Sequence, residues 1–316
     1  MQTFFLKMLP NYPETAKLTL ELRPLLHPLC QHLHEGISEF TFANLFLFRR
    51  NHQYALSLLA DTTIVILGKD NSTPFFMLPF GLPEQPLLDR LFREHGMMKC
   101  ASKGQAAVLT ARGYHAQEDR DNFDYLYRRQ DLAELGGRNY HKKRNLIKAF
   151  VNSHTYTALP LRGEYRSDAL RILEDWWKET QQSGDYDAAR EGLEKMEGLQ
   201  LCGGIYYVES RPVAYVLGEE LAGNASFVIQ FEKAVSGYKG LYQFINQSFA
   251  AILPEIYETI NREQDLGEEG LRHAKLSYKP TGFVEKFKIY PSTDHTASLP
   301  LRCVNDRELP SEPFAG

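Results

Sequence analysis

The stretch from 227 to 249, FVIQFEKAVSGYKGLYQFINQSF, limits the folds open to this chain more than any other. Phe227, Val228, Ile229, Gln230 and Phe231 are β-branched, aromatic or alternating enough for a strand. Ser236-Gly237-Tyr238-Lys239-Gly240 is turn chemistry. Leu241, Phe244, Ile245, Ser248 and Phe249 then recur at helical spacing. A strand, a glycine-bearing loop and a helix follow one another. The first turn of such a helix exposes unpaired backbone N–H groups at the positive end of its dipole, so it is a ready anion site. Lys239 adds a mobile positive charge. Read alone, the same residues also fit a plain strand–turn–helix connection with glycines for backbone reasons.

The pattern around this stretch is that of a long soluble chain. Its 316 residues suffice for two domains, and 43% hydrophobic with 24% charged residues fits a substantial core. A net charge of −4 argues against a protein that coats nucleic acid globally, though not against a local basic patch. Cys30, Cys100, Cys202 and Cys303 lie far apart and form no CxxC pair. Neither a zinc knuckle nor a disulfide framework is indicated, and reduced thiols in a cytoplasmic protein are the simplest account. His32 and His34 are two apart and face different sides of a helix, so no metal site is expected. The N-terminal residues lack a signal-peptide pattern, and no apolar run reaches the roughly 18 residues that span a bilayer.

Taken in order, 18–34 reads as a helix, and 54–59, 62–67 and 74–78 as strands joined by an Ala60-Asp61 turn and a Gly-Lys-Asp-Asn-Ser turn. A helix follows over 86–95, then strands over 105–110 and 123–127. Two short helices broken at Gly136-Gly137 fill 128–150, the most basic segment, with Arg138, His141, Lys142, Lys143, Arg144 and Lys148. A solvated helix face is the ordinary explanation and an anion-binding surface the other. From Ser153 the pattern restarts: a strand (155–161), helices (165–180 and 186–199), strands (201–209, 212–221 and 224–232), the loop and helix above, a strand (256–261), a helix (266–275) and a strand (283–289). The tail from 291 is Pro- and Ser-bearing.

The order from 153 to 290 is β-α-α-β-β-β-α-β-α-β, with a phosphate loop after the fourth strand; this resembles the GNAT acyltransferase fold. EFTFANLFLFR, NYHKKRNLIKAF, NREQDLGEEGLRHAKLSYKP and FVEKFKI narrow it. Together they resemble the C-terminal domain family of lysyl-phosphatidylglycerol synthetases, including its stand-alone members. The resemblance covers about residues 30 to 290 and implies an α/β chain of two tandem GNAT-like halves. On that basis 1–150 is expected to be an N-terminal GNAT-like domain with a degenerate donor site. Residues 151–292 form a C-terminal GNAT-like domain with the phosphate loop, and 293–316 a tail. Membrane-bound relatives move an aminoacyl group from tRNA to a lipid headgroup, and peptidoglycan-bridge aminoacyltransferases resemble the same architecture.

The halves differ where phosphate would bind. The first has Pro79-Phe80-Gly81-Leu82-Pro83-Glu84-Gln85-Pro86, where prolines remove donors and Glu84 repels anions. The second offers Gly237, Tyr238, Lys239, Gly240 and Leu241 for the donor's phosphates. An aspartate at Gly240 is expected to abolish donor binding with little loss of folding. Acyl transfer must polarise a carbonyl, deprotonate an acceptor and protonate a leaving group. In GNAT folds a splayed strand pair supplies a backbone N–H, here near Gln230, Phe231 and Glu232. Asn261, Glu263 and Asp265 sit opposite as candidate catalytic groups, with Tyr278 as acid. Arg262, Arg272, Lys275, Lys279, Asn44 and Arg49 are candidate substrate-binding residues. Asp265 has a structural alternative, starting a helix, and Glu268 with Arg272 an i,i+4 pair. The donor is expected to be aminoacyl-tRNA, held through Arg138, Lys142, Lys143, Arg144 and Lys148, or an acyl-coenzyme A, with no tightly bound cofactor. The acceptor is a small molecule or lipid headgroup. A catalytically silent binding module is the competing class.

Overall fold

Two seven-stranded mixed sheets organise the protein, and each borrows one strand from the other half of the chain. The computed structural model describes residues 9–59, 63–181 and 184–292. The Ala60-Asp61 turn, Thr62, Cys303 and the tail from 293 lie outside the described residues. The first half runs β1 (Ala16–Lys17), α1 (Arg23–Gln31), α2 (Phe42–Phe48), β2 (Ala55–Leu59), β3 (Thr63–Asp70), β4 (Thr73–Met77), α3 (Gln85–His95), β5 (Met98–Ala101), α4 (Lys103–Ala111) and β6 (His115–Glu118). Then come β7 (Asp124–Arg128), α5 (Arg129–Glu134) and α6 (His141–Ser153). The second half runs β8 (Tyr156–Pro160), α7 (Arg166–Thr180), α8 (Tyr186–Glu194), α9 (Met196–Leu199), β9 (Cys202–Val208), β10 (Arg211–Leu221), β11 (Ser226–Ala234), α10 (Leu241–Ile252), β12 (Thr259–Asn261), α11 (Glu269–Leu276), β13 (Gly282–Val284) and β14 (Phe287–Tyr290).

The first sheet has the order β1-β2-β3-β4-β5-β14-β6 and the second β8-β9-β10-β11-β12-β7-β13. The exchange is reciprocal: β14 from the chain's end sits antiparallel between β5 and β6, and β7 from the middle sits antiparallel between β12 and β13. A division of the chain near residue 150 is therefore crossed by two strands. The span expected as one strand over 283–289 is two, β13 and β14, one in each sheet. A buried ion cluster clamps the crossing. Lys286, fully buried between them, donates to Asp124 Oδ1 of β7 at 2.7 Å and to Glu39. Ser38 N and Asn261 Nδ2 donate to Asp124 Oδ2 at 2.9 and 3.2 Å. Buried charge persists only with such pairing.

One expected strand is a helix. Residues 105–110 are helix α4, because Ser102 and Gln105 form a reciprocal capping box that starts a helix at Lys103. The aromatic run at 42–48 is also a helix, capped by Thr41 accepting from Asn44 N. It is buried nearly all round, which removes the polar stripe by which a surface helix is recognised. The helix expected from 266 starts at Glu269, and the strand expected from 256 has only three residues, 259–261. α2 packs against α8 across the two halves, and Phe231 of β11 stacks on Phe48 there. Among the described residues the cysteines are unpaired thiols, and no group of three or more His, Cys, Asp or Glu is arranged to hold a metal. No helix among them is long and apolar enough to cross a membrane.

Candidate functional site

β11 and β12 run parallel for three residue pairs only, Ser226–Thr259, Phe227–Ile260 and Val228–Asn261. Beyond them the two chains part. On β11 the register with β10 slips between Leu217 and Gly218, leaving Gln230 as an extra residue between Ile229 and Phe231. Such a bulge bends the strand and re-aims its side chains. On the other side the chain turns away at Glu263, whose φ is 52°. Three residues hold that turn. Buried Asn261 donates to Gly36 O at 3.0 Å and accepts from Glu263 N at 2.7 Å. Lys275 donates to the carbonyls of Arg262 (2.7 Å), Glu263 (3.0 Å) and Gln264. Asn44, brought from the first half by α2, donates to Glu263 Oε1 at 3.2 Å. Burial, with the Asp124 charge beside it, pushes the Glu263 carboxyl well above its ordinary range. Burial and then Arg262 bring the Lys275 ammonium down to about 8.

The wedge is lined by polar groups from both sides. Glu232 of β11 accepts from Asn246 Nδ2 of α10 at 2.9 and 3.0 Å and from Arg262 Nη2 at 3.3 Å at each oxygen. Arg262 lies 5.5 Å from the Tyr278 ring centroid, and Lys143 of α6 lies 4.0 Å from the same ring. The Tyr278 hydroxyl, beside Gln243, is buried with no acceptor for its O–H, and burial pushes its pKa up to about 12.

At the end of β11 the loop turns into α10 as expected. Gly237 and Gly240 both have positive φ, 90° and 88°. Leu241 N is bonded to Tyr238 O and Phe244 N to Gly240 O, so the N–H groups of Tyr242 and Gln243 have no acceptor within the helix. Ser236 N already donates to Glu179 at 2.7 Å. Tyr238 packs edge-on against His154, and Lys239 is exposed. Gly240 corrects one expectation. A Cβ there would lie 2.1 Å from Leu146 O of α6, so an aspartate at 240 would disturb packing and not merely block phosphate.

Other expected site residues are committed elsewhere. Fully buried Asp265 accepts from Arg272 (2.7 and 2.9 Å), Tyr125 (2.5 Å), Arg120 (3.3 Å) and Gly267 N (2.9 Å). Burial opposes its charge, but these bonds hold its carboxyl well below the usual range. It ties α11 to β7 and is no free base. It caps the turn at Gly267, and Glu268, not Asp265, precedes the helix. Arg272 is spent on Asp265 and Asp121, not on Glu268. Arg49 makes a bidentate pair with Glu191 at 2.9 Å. Lys279 is exposed in the left-handed region. In the basic segment Arg138, His141, Lys142 and Lys148 are exposed, whereas Arg144 donates to the carbonyls of Leu135 and Gly137, and Lys143 to Ser277 at 2.7 Å.

Sequence reading missed Asn246, gave Glu232 only a backbone role and assigned Lys143 to a tRNA-facing surface, not to the Tyr278 ring. Asn246 had a signal: a polar residue on the apolar face of LYQFINQSF must find a buried partner. The contact of Lys143 with Tyr278 had none, since charge alone does not separate it from the other cations of its helix.

The comparisons agree with this architecture. The family model described as phosphatidylglycerol lysyltransferase, C-terminal, matches residues 31–290. A solved protein of unknown function from Bacteroides thetaiotaomicron is 30% identical, with 88% of this chain and 99% of that chain covered and a TM-score of 0.79. L-PGS from Bacillus licheniformis is 12% identical, with 90% and 94% covered and a TM-score of 0.59. FemX is 8% identical, with 87% and 96% covered and a TM-score of 0.55. No curated protein sequence matches significantly. The fold is that of two GNAT-like units in tandem.

Proposed function

The chain belongs to the phosphatidylglycerol lysyltransferase C-terminal family, and on that premise we propose that it moves an aminoacyl group from aminoacyl-tRNA to an amine or hydroxyl acceptor. The coarser statement, a GNAT-like acyltransferase related to lysyl-phosphatidylglycerol synthetase, rests on family and fold together. The observation that carries the reading is the short pairing of β11 with β12, three residue pairs only, next to the N-terminus of α10. An acyl donor with its phosphates on Gly237, Lys239 and the first turn of α10 sets its carbonyl in that wedge. Backbone N–H groups near Gln230, Phe231 and Glu232 then polarise the carbonyl. Glu263 is the candidate proton acceptor, as the carboxylate side chain placed at the turn where β12 leaves β11. Tyr278 is the candidate acid toward the leaving group. Asn261, Asn44 and Lys275 act by holding the Glu263 turn.

A second reading has a specific observation in its favour. Of the cations proposed to meet tRNA, Lys143 and Arg144 are engaged internally, which leaves Arg138, Lys142 and Lys148 outward. A coenzyme A thioester needs only one cleft. The test is binding of aminoacyl-tRNA across a salt series, with Lys142→Ala and Lys148→Ala combined. A steep log–log salt slope that flattens by about two supports the tRNA donor. Absence of tRNA binding at low salt, with acetyl-coenzyme A bound, replaces it by the thioester. Failure of both donors to bind leaves a silent module.

A further inference from the structure

On the β12 side of the wedge Arg262 is bonded to Glu232, whereas Lys143 is bonded to no carboxylate among the described residues. Lys143 and Arg262 sit over one Tyr278 ring, and Lys275 lies behind them on the Arg262 carbonyl. Glu232 is the carboxylate bonded there, and Arg262 meets it at 3.3 Å, longer than the about 2.7–2.9 Å of a charge-assisted bond. The Arg49–Glu191 pair, by contrast, closes to 2.9 Å at both oxygens. Among the described residues the other guanidinium N–H groups of Arg262 have no protein acceptor. Lys143 and Lys275 both have depressed pKa values, from burial first and from Arg262 next.

An independent observation points to a missing acceptor. The hydroxyl of Tyr278, a residue 5% exposed, is buried with no acceptor for its O–H. It lies beside Gln243, in the first turn of α10, where the free N–H groups and the helix dipole also favour negative charge. A buried O–H left without an acceptor costs stability unless something else completes it. Cations, a phenolic donor and a helix start thus converge from α6, the turn after β12, the turn after α11, and α10.

We propose that Lys143, Arg262 and the Tyr278 hydroxyl form an oxyanion subsite that holds the phosphate or carboxylate of the acceptor. This rests on the acyltransferase reading. The donor's phosphates occupy the loop at the end of β11 and its carbonyl the wedge, so an anion on the β12 side belongs to the other substrate. Lys143 is a specificity residue for that anion and not part of a tRNA-facing surface.

The experiment is a calorimetric titration of the full chain with inorganic phosphate, glycerol 3-phosphate and coenzyme A, which reads binding and needs no turnover. Lys143→Met is expected to weaken phosphate and glycerol 3-phosphate more than about tenfold, and Tyr278→Phe several-fold. Tyr278→Phe removes a hydroxyl that has no acceptor, so its Tm is expected to stay close to wild type and lost binding cannot be blamed on unfolding. Lys239→Glu, at the exposed loop, weakens coenzyme A and any phosphate bound at the loop, while the anion binding that Lys143→Met removes is retained. Equal affinities in wild type and Lys143→Met, or no anion binding by the wild type, overturn the subsite. A loss confined to coenzyme A overturns its assignment to the acceptor. A chain that binds these anions at Lys143 yet transfers no acyl group supports the subsite and fails the acyltransferase reading instead.

Discussion

The two halves repeat one strand–helix order, yet their parallel strand pairs end differently. In the first, β4 and β5 pair at Phe76–Met98, and a single residue, Ser102, separates β5 from α4. Gln105 of the capping box reaches across the gap and donates to Leu78 O at 2.7 Å. Pro79 and Phe40 line the small space that remains, together with Ser102 and Gln105. In the second, residues 262–268 intervene between β12 and α11. The longer connection lets the chain turn at Glu263 and present Arg262, Glu263 and, through α11, Tyr278 to the gap. The same scaffold is bridged by a capping side chain where a helix starts at once, and lined by charged and phenolic side chains where the connection is long. A long polar connection needs its own support, and buried Lys275 supplies it from α11.

The largest expected effect breaks that support. Lys275→Met leaves three carbonyls of the 262–264 turn without a donor and should cost about 3–5 kcal/mol in urea unfolding. A loss below about 1 kcal/mol would mean that the turn holds itself.

Next is the contact joining the second wedge to the first half. Glu219 accepts from Gln230, the bulge residue, at 2.6 Å, and Gln230 also donates to Thr41 at 3.3 Å. Burial pushes the Glu219 carboxyl up to about 7 against the bonds from Thr41 and Gln230. The folded protein therefore holds this proton more tightly than the unfolded chain. The stability this gives is complete below the ordinary carboxylate pKa near 4.5 and is lost as pH rises through about 7. Between pH 4.5 and 8 the wild type should lose at most about 3 kcal/mol from this group, and Glu219→Gln should not show that loss. Parallel pH profiles for the two proteins would refute it.

How far such features were legible follows from their range along the chain. Turn chemistry and helical spacing marked the loop at 236–240 and α10, because both signals are local. The capping box Ser102–Gln105 was equally local, but the apolar run QAAVLT outweighed it and suggested a strand. The strand exchange left no local mark, since β7 and β14 carry nothing that names their sheet. Asp265 and Arg49 read as site candidates because polarity shows in sequence, whereas their partners Arg272, Tyr125 and Glu191 are chosen by tertiary packing. Gly240 was expected to serve phosphate; its φ of 88° and contact with Leu146 serve packing.

A smaller effect is expected at the bridged gap. Gln105→Ala removes one capping bond and the bridge to Leu78 and should cost about 1–2 kcal/mol in the same denaturation, with donor binding unchanged. Donor affinity that falls with it would make the first gap part of the site.

The claim that the second wedge, and not the first, receives the acyl donor is tested most directly by amide hydrogen exchange with and without donor, acetyl-coenzyme A and aminoacyl-tRNA in turn. The account predicts that donor slows exchange at 236–246, at the N–H groups of Tyr242 and Gln243 above all, and leaves 78–88 unchanged. Protection at 78–88 with none at 236–246 would contradict it.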